Sequence, residues 1–303
     1  MISVSHLSKR FRKTTAVNDL TFDVRPGVVT GFLGPNGSGK STTMRLILGL
    51  DFASGGSATV NGQRYRDLVQ PLREVGALLD AKAVHPGRSA RQHLRALAAS
   101  NRLATKRVDE VLELTGITSV ADKKVGTFSM GMSQRLGIAA ALLGDPGILL
   151  FDEPVNGLDP EGIRWIRDLF QSLAREGRTV FVSSHLMSEM ALTAEQIIVI
   201  GRGRLITQGS VDELTAGAKD EVYVRARDAR ALEDALRAQA VAYRPEGPGF
   251  VVESLDAEAI GDLALAAGVA LSTLTPQRAS LEEVFMELTA DSVEYSATAS
   301  ERP

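Results

Sequence analysis

The residues whose types and spacing most clearly indicate a chemical function form one short stretch, residues 34–41. The stretch follows the pattern G-x-x-x-x-G-K-[ST] and consists of Gly34, Pro35, Asn36, Gly37, Ser38, Gly39, Lys40 and Ser41. Its glycines allow successive backbone N–H groups to point at one anion. The lysine would place a charge between the β- and γ-phosphates of a nucleotide, and the serine hydroxyl would reach Mg²⁺. The spacing therefore predicts a site for a nucleoside triphosphate.

The segments on both sides of this stretch are those that a phosphate site needs. Residues 28–33 are apolar and β-branched, which predicts a buried strand. Residues 41–48 have helical periodicity and stop at Gly49. A helix that begins at the loop directs the positive end of its dipole at the bound anion. The order strand, loop, helix therefore supports the phosphate interpretation.

A second apolar run ends in two adjacent carboxylates, Asp152 and Glu153, directly after residues 148–151. Continuous apolar strands are typical of parallel sheets, whose functional groups lie at the carboxyl ends of the strands. Asp152 could hold Mg²⁺, and Glu153 could polarise a water molecule for attack on the γ-phosphate. The alternative is an ordinary solvated loop, which the phosphate loop upstream makes less favourable.

Two further residues have a possible role beside the nucleotide. His185 follows the predicted buried strand 180–184. A ring nitrogen at this strand end could reach the γ-phosphate, although a lone histidine is more often structural. Phe11 could stack on a flat nucleobase, or it could be a core aromatic residue near a turn. For both residues, the local sequence fits either the functional or the structural interpretation.

Composition excludes several classes of protein. The 303 residues suggest about two domains, and a net charge of −3 gives no electrostatic footprint for nucleic acid. The absence of cysteine excludes disulfide scaffolds and thiolate metal sites. The first residues do not form a signal peptide, and no apolar run is long enough to span a bilayer. We therefore expect a cytoplasmic protein whose role at a membrane would need a partner.

The remaining sequence contains two alternating segments, a helical insertion and a separate C-terminal pattern. Residues 2–7 and 20–25 alternate apolar and polar side chains, which predicts half-buried strands. Residues 89–116 are helical, and residues 127–135 open a new helix predicted at residues 136–143, which Ser129 could cap and where the small Gly131 would admit an anion. From residue 221 the order is strand, helix, strand, strand, helix, strand, with residues 245–249 as the loop between the two middle strands. This is the ferredoxin-like arrangement. Without chemical motifs, this part is predicted to be a regulatory or dimer-contact domain.

Together these motifs resemble the ATP-binding cassette of ABC transporters over residues 2–215. The matching segments are the Walker A motif (residues 34–42, which adds Thr42), the signature motif (residues 128–132), the Walker B motif (residues 148–153), the D-loop (residues 156–159) and the switch histidine, His185. The resemblance assigns Ser129, Met130, Gly131 and Met132 to the signature and Asp159 to the D-loop. Asp80 stands where the Q-loop of the family normally has glutamine.

The resemblance implies an α/β fold of the P-loop NTPase type. It would contain an antiparallel β subdomain and a helical subdomain at about residues 81–143. The cassette would span residues 1–215, a small ferredoxin-like α+β domain would span residues 216–290, and residues 291–303 would be a flexible tail. These boundaries are expectations from the family pattern and the composition.

The resemblance also implies a composite site. In this family ATP lies between the phosphate loop of one cassette and the signature motif of the other, with Mg²⁺ beside the phosphates. One cassette per chain then requires a dimer, expected to be a homodimer, and a membrane permease at the inner face of the cell membrane. Asp80 would add a negative charge near Asp152 and Glu153. Its carboxylate could bind Mg²⁺ directly, or it could point away from the metal.

The final helix, residues 280–288, resembles the tail of cassettes that serve drug and antibiotic exporters, such as those of daunorubicin and bacitracin resistance. We therefore expect the ATPase subunit of an exporter. An importer ATPase would often retain the Q-loop glutamine and carry a β-rich tail. A cassette acting on ribosomes or DNA would generally have two cassettes, long coiled coils or basic surfaces, and none of these features is present.

Overall fold

The computed structural model describes residues 1–216, 221–253, 255–277 and 281–289. The predicted flexible tail, residues 291–303, and Ser280 of the final helix lie outside these residues. The described chain divides into two compact units, Met1–Gly209 and Ser210–Glu287, each of which is described by itself. Every helix in the described residues is too short or too polar to cross a lipid bilayer.

The strands are numbered in chain order. They are β1 (Ile2–Phe11), β2 (Thr14–Val24), β3 (Val29–Leu33), β4 (Gly55–Val60), β5 (Val75–Leu78), β6 (Ile148–Asp152), β7 (Thr179–Ser184), β8 (Gln196–Gly201), β9 (Arg204–Ser210), β10 (Glu221–Ala226), β11 (Tyr243–Glu246), β12 (Gly249–Val252) and β13 (Leu271–Gln277).

The α-helices are numbered in the same way. They are α1 (Lys40–Ile47), α2 (Pro71–Glu74), α3 (Ala90–Ser100), α4 (Lys106–Leu114), α5 (Met130–Leu142), α6 (Pro160–Arg175), α7 (Met187–Thr193), α8 (Val211–Ala216), α9 (Ala229–Ala238), α10 (Ala257–Ala266) and α11 (Leu281–Thr289).

The central sheet of the first unit has the order β5-β6-β7-β3-β8-β9. Strands β5, β6, β7, β3 and β8 pair in parallel, and all residues of β3 and β7 are buried, as expected of a sheet covered on both faces. Leu33 is paired with Ser184, and Asp152 with Ser183, so these strands end side by side. The sheet therefore brings the segments after residues 33, 152 and 184 to one edge.

An antiparallel sheet with the order β2-β1-β4 packs against this central sheet. The ring of Phe22 in β2 lies 5.6 Å from that of Phe32 in β3 and 5.9 Å from that of Phe181 in β7, measured between centroids. The alternating pattern predicted shorter strands, at residues 2–7 and 20–25. Pairing continues to Phe11 and Thr14 because register shifts interrupt the simple alternation without ending the ladder.

Helices α3, α4 and α5 pack together as the predicted helical insertion. Ser89 begins α3 with a capping box, since its hydroxyl accepts from Gln92 N and the Gln92 side chain accepts from Ser89 N. Helix α5 begins at Met130, six residues before the predicted start at Leu136. The polar and small residues at its start concealed its helical periodicity.

The second unit is a sheet with helices α9 and α10 packed on it. Its strand order is β11-β12-β10-β13, and each adjacent pair is antiparallel. This order confirms the ferredoxin-like arrangement. One strand was placed incorrectly, because residues 245–249 were interpreted as a separating loop, whereas Pro245 lies inside β11. Since β11 is an edge strand, a residue without an N–H group is tolerated there.

The sheets and the helical insertion confirm the predicted fold class, an α/β P-loop NTPase core with an antiparallel β subdomain and a ferredoxin-like α+β part. The sheet order also fixes what must be close together. The phosphate loop, the Asp152–Glu153 pair and His185 follow three neighbouring strands, β3, β6 and β7. The chemistry of the first unit is therefore concentrated at one edge of its sheet.

Candidate functional site

The phosphate loop, residues 34–41, connects β3 to α1 with backbone geometry that requires glycine. Gly39 has φ 107°, and a Cβ atom there would lie 2.4 Å from the carbonyl oxygen of Ala16. A Cβ atom on Gly34 would lie 2.5 Å from the carbonyl oxygen of Ile200. Any side chain at these positions would push the loop away from its neighbours. The glycines that the sequence pattern requires therefore have a visible steric reason.

The loop is prepared for an anion. No side chain caps the start of α1, so its first N–H groups are free of side-chain partners. The hydroxyl of Ser38 is buried and has no hydrogen-bond partner in the described residues. Such donors fit phosphate oxygens, and the helix dipole adds to the attraction. The residues present therefore fit the triphosphate group that the sequence predicts.

Lys40 is only 6% exposed. Its Nζ atom donates to the carbonyl oxygens of Gly34 at 2.6 Å and Pro35 at 3.3 Å, and lies 3.9 Å from Oε1 of Glu153. Burial lowers the pKa of the Lys40 ammonium, while the nearby charges of Glu153 and Asp152 act in the opposite direction. The ammonium is therefore held inside the loop, where phosphate oxygens could replace the carbonyls.

The two carboxylates after β6 have different partners. Oδ1 of Asp152 accepts a hydrogen bond from the Ser183 hydroxyl. Oε2 of Glu153 lies 2.7 Å from Nδ1 of His185, and its Oε1 faces Lys40. The parallel pairing of β6 with β7 produces these contacts, because Asp152 and Ser183 are register partners. Lys40, Glu153 and His185 therefore form one connected group.

The backbone of Glu153 is in the left-handed region, with φ 50°. Residues other than glycine rarely adopt this conformation, and it persists only where the surroundings hold it. The N–H group of Glu153 donates to the Ser183 hydroxyl at 3.0 Å and to the Ser183 carbonyl at 3.3 Å. Glu153, the candidate catalytic carboxylate between Lys40 and His185, therefore has an unusual backbone conformation that its contacts with Ser183 help to hold.

The signature stretch, residues 128–132, forms the start of α5. The Ser129 hydroxyl accepts from Met132 N at 3.2 Å, so Ser129 caps this helix as predicted. Ser129 and Met130 are exposed, whereas Gly131 and Met132 are half-buried. The Met130 side chain occupies the space where a Cβ atom on Gly157 would lie. The signature stretch therefore touches the D-loop of its own chain and keeps its helix start open to solvent.

Asp80 and Asp159 occupy different settings. The Asp80 carboxylate accepts from Lys82 N at 2.8 Å, which closes a local turn. Asp80 also lines a cavity of about 670 Å³ that includes Asp152 and Glu153. Asp159 accepts from Gly162 N at 2.8 Å and caps α6. Asp80 thus shares a cavity with the candidate catalytic pair, while Asp159 has a structural role within its own chain.

The other predicted binding residues are accessible. The Phe11 ring is 46% exposed, and Nζ of Lys9 lies 4.7 Å from its centroid. This exposure disfavours the alternative that Phe11 is a core aromatic residue. Ser41 is exposed and Thr42 is half-buried at the start of α1. No group of three or more His, Asp or Glu side chains within the described residues is arranged to hold a metal ion by itself.

Sequence reasoning missed two residues that contact this site, Ser183 and Gln134. Ser183 is fully buried and bonds to both Asp152 and Glu153. Gln134 is 7% exposed, and its Nε2 atom donates to the carbonyls of Glu153 at 3.4 Å and Asn156 at 3.3 Å. The available signal for Ser183 was its place at the end of the predicted strand 180–184, beside Ser184 and His185. Gln134 lay two residues beyond the signature stretch without an assigned role.

The sequence and the structure are similar to proteins of one family. Residues 17–156 match the family model described as ABC transporter, and residues 220–282 match a domain family of unknown function. The uncharacterized ABC transporter ATP-binding protein YhcH of Bacillus subtilis (strain 168) is 34% identical over 297 residues, which is 97% of either chain. The bacitracin transport ATP-binding protein BcrA of Bacillus licheniformis is 38% identical over 217 residues, which is 71% of either chain.

A solved structure has the same fold. It is the dimeric, post-hydrolysis state of the ATP-binding cassette MJ0796 bound to ADP and Pi, with a TM-score of 0.63 and 25% sequence identity. The match covers 70% of this chain and 99% of that one. The similarity therefore extends from the sequence motifs to the arrangement of the whole cassette.

Proposed function

This chain belongs to the family of ABC transporter ATP-binding proteins and is an ATPase, and from this premise we propose that two copies of it power export through a separate membrane permease. The observation that carries the proposal is the connected group of Lys40, Glu153 and His185 at the ends of neighbouring strands. This group joins a phosphate-binding charge to a carboxylate and an imidazole, which are the parts that hydrolysis of a phosphoanhydride needs.

The phosphate loop and α1 bind the triphosphate of ATP. Lys40 exchanges its bonds to the Gly34 and Pro35 carbonyls for bonds to phosphate oxygens, and the buried Ser38 hydroxyl gains a partner. The backbone N–H groups of the loop contribute further donors. The other residues that contact the nucleotide are Gly34, Pro35, Asn36, Gly37, Gly39, Ser41 and Thr42. The exposed ring of Phe11 stacks on the adenine base.

Ser41 and Asp152 are oxygen ligands suited to Mg²⁺, which binds one or two protein groups beside phosphates and water. When bound, Mg²⁺ neutralises charge that develops on the phosphates. Asp80 lines the same cavity as Asp152 and is a further candidate ligand. Ser183 holds the Asp152 carboxylate through its hydroxyl and thereby orients it.

Glu153 and His185 carry out the hydrolytic step. The Glu153 carboxylate orients a water molecule and accepts its proton as the water oxygen attacks the γ-phosphorus. The bond between the γ-phosphorus and the β–γ bridging oxygen breaks, and ADP leaves with that oxygen. Nδ1 of His185 is bound to Glu153, which leaves Nε2 to contact the γ-phosphate. Since the contact fixes the ring and the carboxylate together, the two groups act as one unit.

The site is completed by a second copy of the chain. The start of α5 is exposed at Ser129, and a helix N-terminus with small residues is suited to bind an anion. Ser129 and Gly131 contact the γ-phosphate held by the phosphate loop of the partner, with Met130 and Met132 flanking them. Asp159 is at the start of α6, on the D-loop that Met130 touches. ATP closes the dimer, and hydrolysis opens it.

Export of a drug-like or antibiotic-like compound is favoured over import. The similarity to a bacitracin transport ATP-binding protein supports this direction, and so does the replacement of the Q-loop glutamine by Asp80. An importer ATPase or a cassette acting outside transport has no comparable support. With a permease as partner, the protein is a cytoplasmic subunit on the inner face of the membrane, and it acts without nucleic acid.

Substitution of the proposed catalytic carboxylate tests this function. Glu153→Gln removes the base but keeps the size and most of the hydrogen-bonding capacity of the side chain. We expect ATP turnover to fall by at least about 100-fold, the usual contribution of a general base. ATP binding persists, and closed dimers accumulate, as measured by size-exclusion chromatography with ATP and Mg²⁺.

The matched control is Glu161→Gln, which removes an exposed carboxylate from the first turn of α6. This variant should hydrolyse ATP at the rate of the unsubstituted protein. Near-normal turnover in Glu153→Gln would overturn the catalytic assignment.

For transport, the protein purified with its permease should show ATPase activity stimulated by an exported compound, and stimulation only by a solute-binding protein would favour import.

A further inference from the structure

The backbone of Glu153 is held on both sides of its Cα atom by side chains from other elements. Its N–H group donates to the Ser183 hydroxyl of β7 at 3.0 Å. Its carbonyl accepts from Nε2 of Gln134, on α5, at 3.4 Å. Since Glu153 has φ 50°, a conformation that residues other than glycine rarely adopt, contacts of this kind must hold it there. The direction of the Glu153 side chain therefore depends on α5 as well as on the central sheet.

Gln134 is placed to act on this segment alone. Its side-chain nitrogen bridges the carbonyls of Glu153 and Asn156, at 3.4 and 3.3 Å, which are the two ends of the turn after β6. Two acceptors fix the orientation of the amide, because the opposite orientation would place its oxygen against both carbonyls. Its oxygen is buried without a partner in the described residues. A buried polar group with this deficit is retained at a cost, which points to a role for its donor end.

The helix that carries Gln134 also carries the signature stretch. Ser129 caps the start of α5, and Gln134 lies just over one turn further along the same helix. An α-helix is stiff over this length, so a displacement of its start moves Gln134 with it. The only hydrogen bonds recorded for the Gln134 side chain within the described residues go to the turn that contains Glu153.

We propose that Gln134 is a positioning residue through which the signature helix of each chain sets the orientation of the Glu153 carboxylate of the same chain. The inference rests on the proposed role of Glu153. When the start of α5 binds the nucleotide of the partner, Gln134 pulls the carbonyls of Glu153 and Asn156 into place. Each chain thus makes its own hydrolysis dependent on the nucleotide that it contacts in the partner.

The test is Gln134→Met, which keeps the length of the side chain but removes its donor. We expect kcat for ATP to fall by about tenfold, because a shift of about 1 Å in a reacting group can cost up to 100-fold. The KM for ATP should change by less than about twofold, since the nucleotide-binding residues are untouched. Gln134→Glu, of the same size but with acceptors facing both carbonyls, should lose at least as much.

A second background separates positioning from a general structural effect. In Glu153→Gln, the carboxylate on which Gln134 acts is already absent, so adding Gln134→Met should change the residual single-turnover rate by less than about twofold. An equal tenfold loss in both backgrounds would overturn the proposal, and so would unchanged kcat in the single variant. If Glu153→Gln itself retained normal turnover, the proposed function would fail instead.

The matched control is Gln171→Met. Nε2 of Gln171 also donates to a backbone carbonyl, that of Leu192 at 3.2 Å, but outside this site. We expect its kcat to be unchanged. Thermal unfolding of each variant is measured beside the assays, and nucleotide affinity is measured with a fluorescent ATP analogue. A Gln134→Met protein that binds the analogue normally and hydrolyses slowly supports the proposal, whereas loss of both together contradicts it.

Discussion

Two helices of the first unit begin at sequences that we propose bind phosphate, and their first turns are built differently. Helix α1 begins inside the phosphate loop, where Lys40 and Ser38 are buried and no side chain caps the first N–H groups. Helix α5 begins at the exposed Ser129, whose hydroxyl already accepts from Met132 N. The start of α1 therefore has donors available to an anion, whereas the start of α5 is capped by its own serine and faces solvent.

This difference separates a site that is complete within one chain from a site that needs a second. The start of α1 has buried donors, a lysine and two carboxylates within its own unit. The start of α5 offers a helix dipole and the Ser129 hydroxyl, which already accepts a hydrogen bond from Met132 N of its own helix. The phosphate loop should therefore bind ATP alone, and the signature stretch should act only on ATP held by a partner.

The largest effect is expected from a substitution in the phosphate loop. Lys40→Ala removes the ammonium that lies 2.6 Å from the Gly34 carbonyl and 3.9 Å from Glu153. Because a hydrogen bond to a charged group is worth up to about 3 kcal/mol, ATP binding should weaken by about 100-fold. Equilibrium binding of a fluorescent ATP analogue measures the change. Affinity within about twofold of the unsubstituted protein would contradict the assignment of the loop.

Phe11→Ala tests whether the first site extends beyond the phosphates. Stacking of a base on an aromatic ring is worth about 1–3 kcal/mol, so the affinity for ATP should fall by about tenfold. The control Phe11→Tyr keeps the aromatic face and should bind within about twofold of the unsubstituted protein. Equal affinities for Phe11→Ala and Phe11→Tyr would show that the exposed ring contributes no stacking.

Asp80→Gln should have the smallest effect, because Asp80 is exposed and lines a cavity together with Met130 of α5 and Glu153. Removing one exposed charge changes interaction energies by about 0.2–1 kcal/mol, so turnover with the permease present should change by about threefold while ATP affinity is retained. Asp80→Asn removes the same charge without the added reach of glutamine. Turnover that stays constant in both variants would exclude a role for this position in coupling.

The sequence predicted the phosphate loop and the central sheet well, because their signals are local. Glycine spacing identifies the loop, and apolar runs such as residues 28–33 and 148–151 identify the buried strands. The same signals could not show that Ser183 bonds to Asp152 and Glu153, since the strand register decides that contact. Nor could they show the left-handed backbone of Glu153, which long-range contacts hold.

The C-terminal unit shows the same division. Its alternating strands and helices predicted the ferredoxin-like order, which the sheet β11-β12-β10-β13 confirms. Pro245 nevertheless lies within β11, where it was expected in a loop, because only the tertiary position of β11 at the edge makes proline acceptable. Local pattern thus identifies elements, and contacts between elements decide their limits.

The central claim is that each ATP is hydrolysed between the phosphate loop of one copy and the signature stretch of another. Two variants test it when mixed. Lys40→Ala inactivates the phosphate loop. Ser129→Asp keeps a helix-capping side chain but presents a negative charge to the phosphate of the partner. Each variant alone should hydrolyse ATP slowly, because both sites of each homodimer are defective.

In an equimolar mixture, about half of the dimers pair one variant with the other, and one site in each of these combines an intact loop with an intact signature. The composite site alone predicts that the mixture recovers about a quarter of the ATPase rate of the unsubstituted protein. The chain that supplies the intact loop has a blocked signature of its own, so the proposed loss of Gln134 positioning would lower this recovery by about tenfold, to about a fortieth. A mixture no more active than the average of the two variants alone would contradict the composite site.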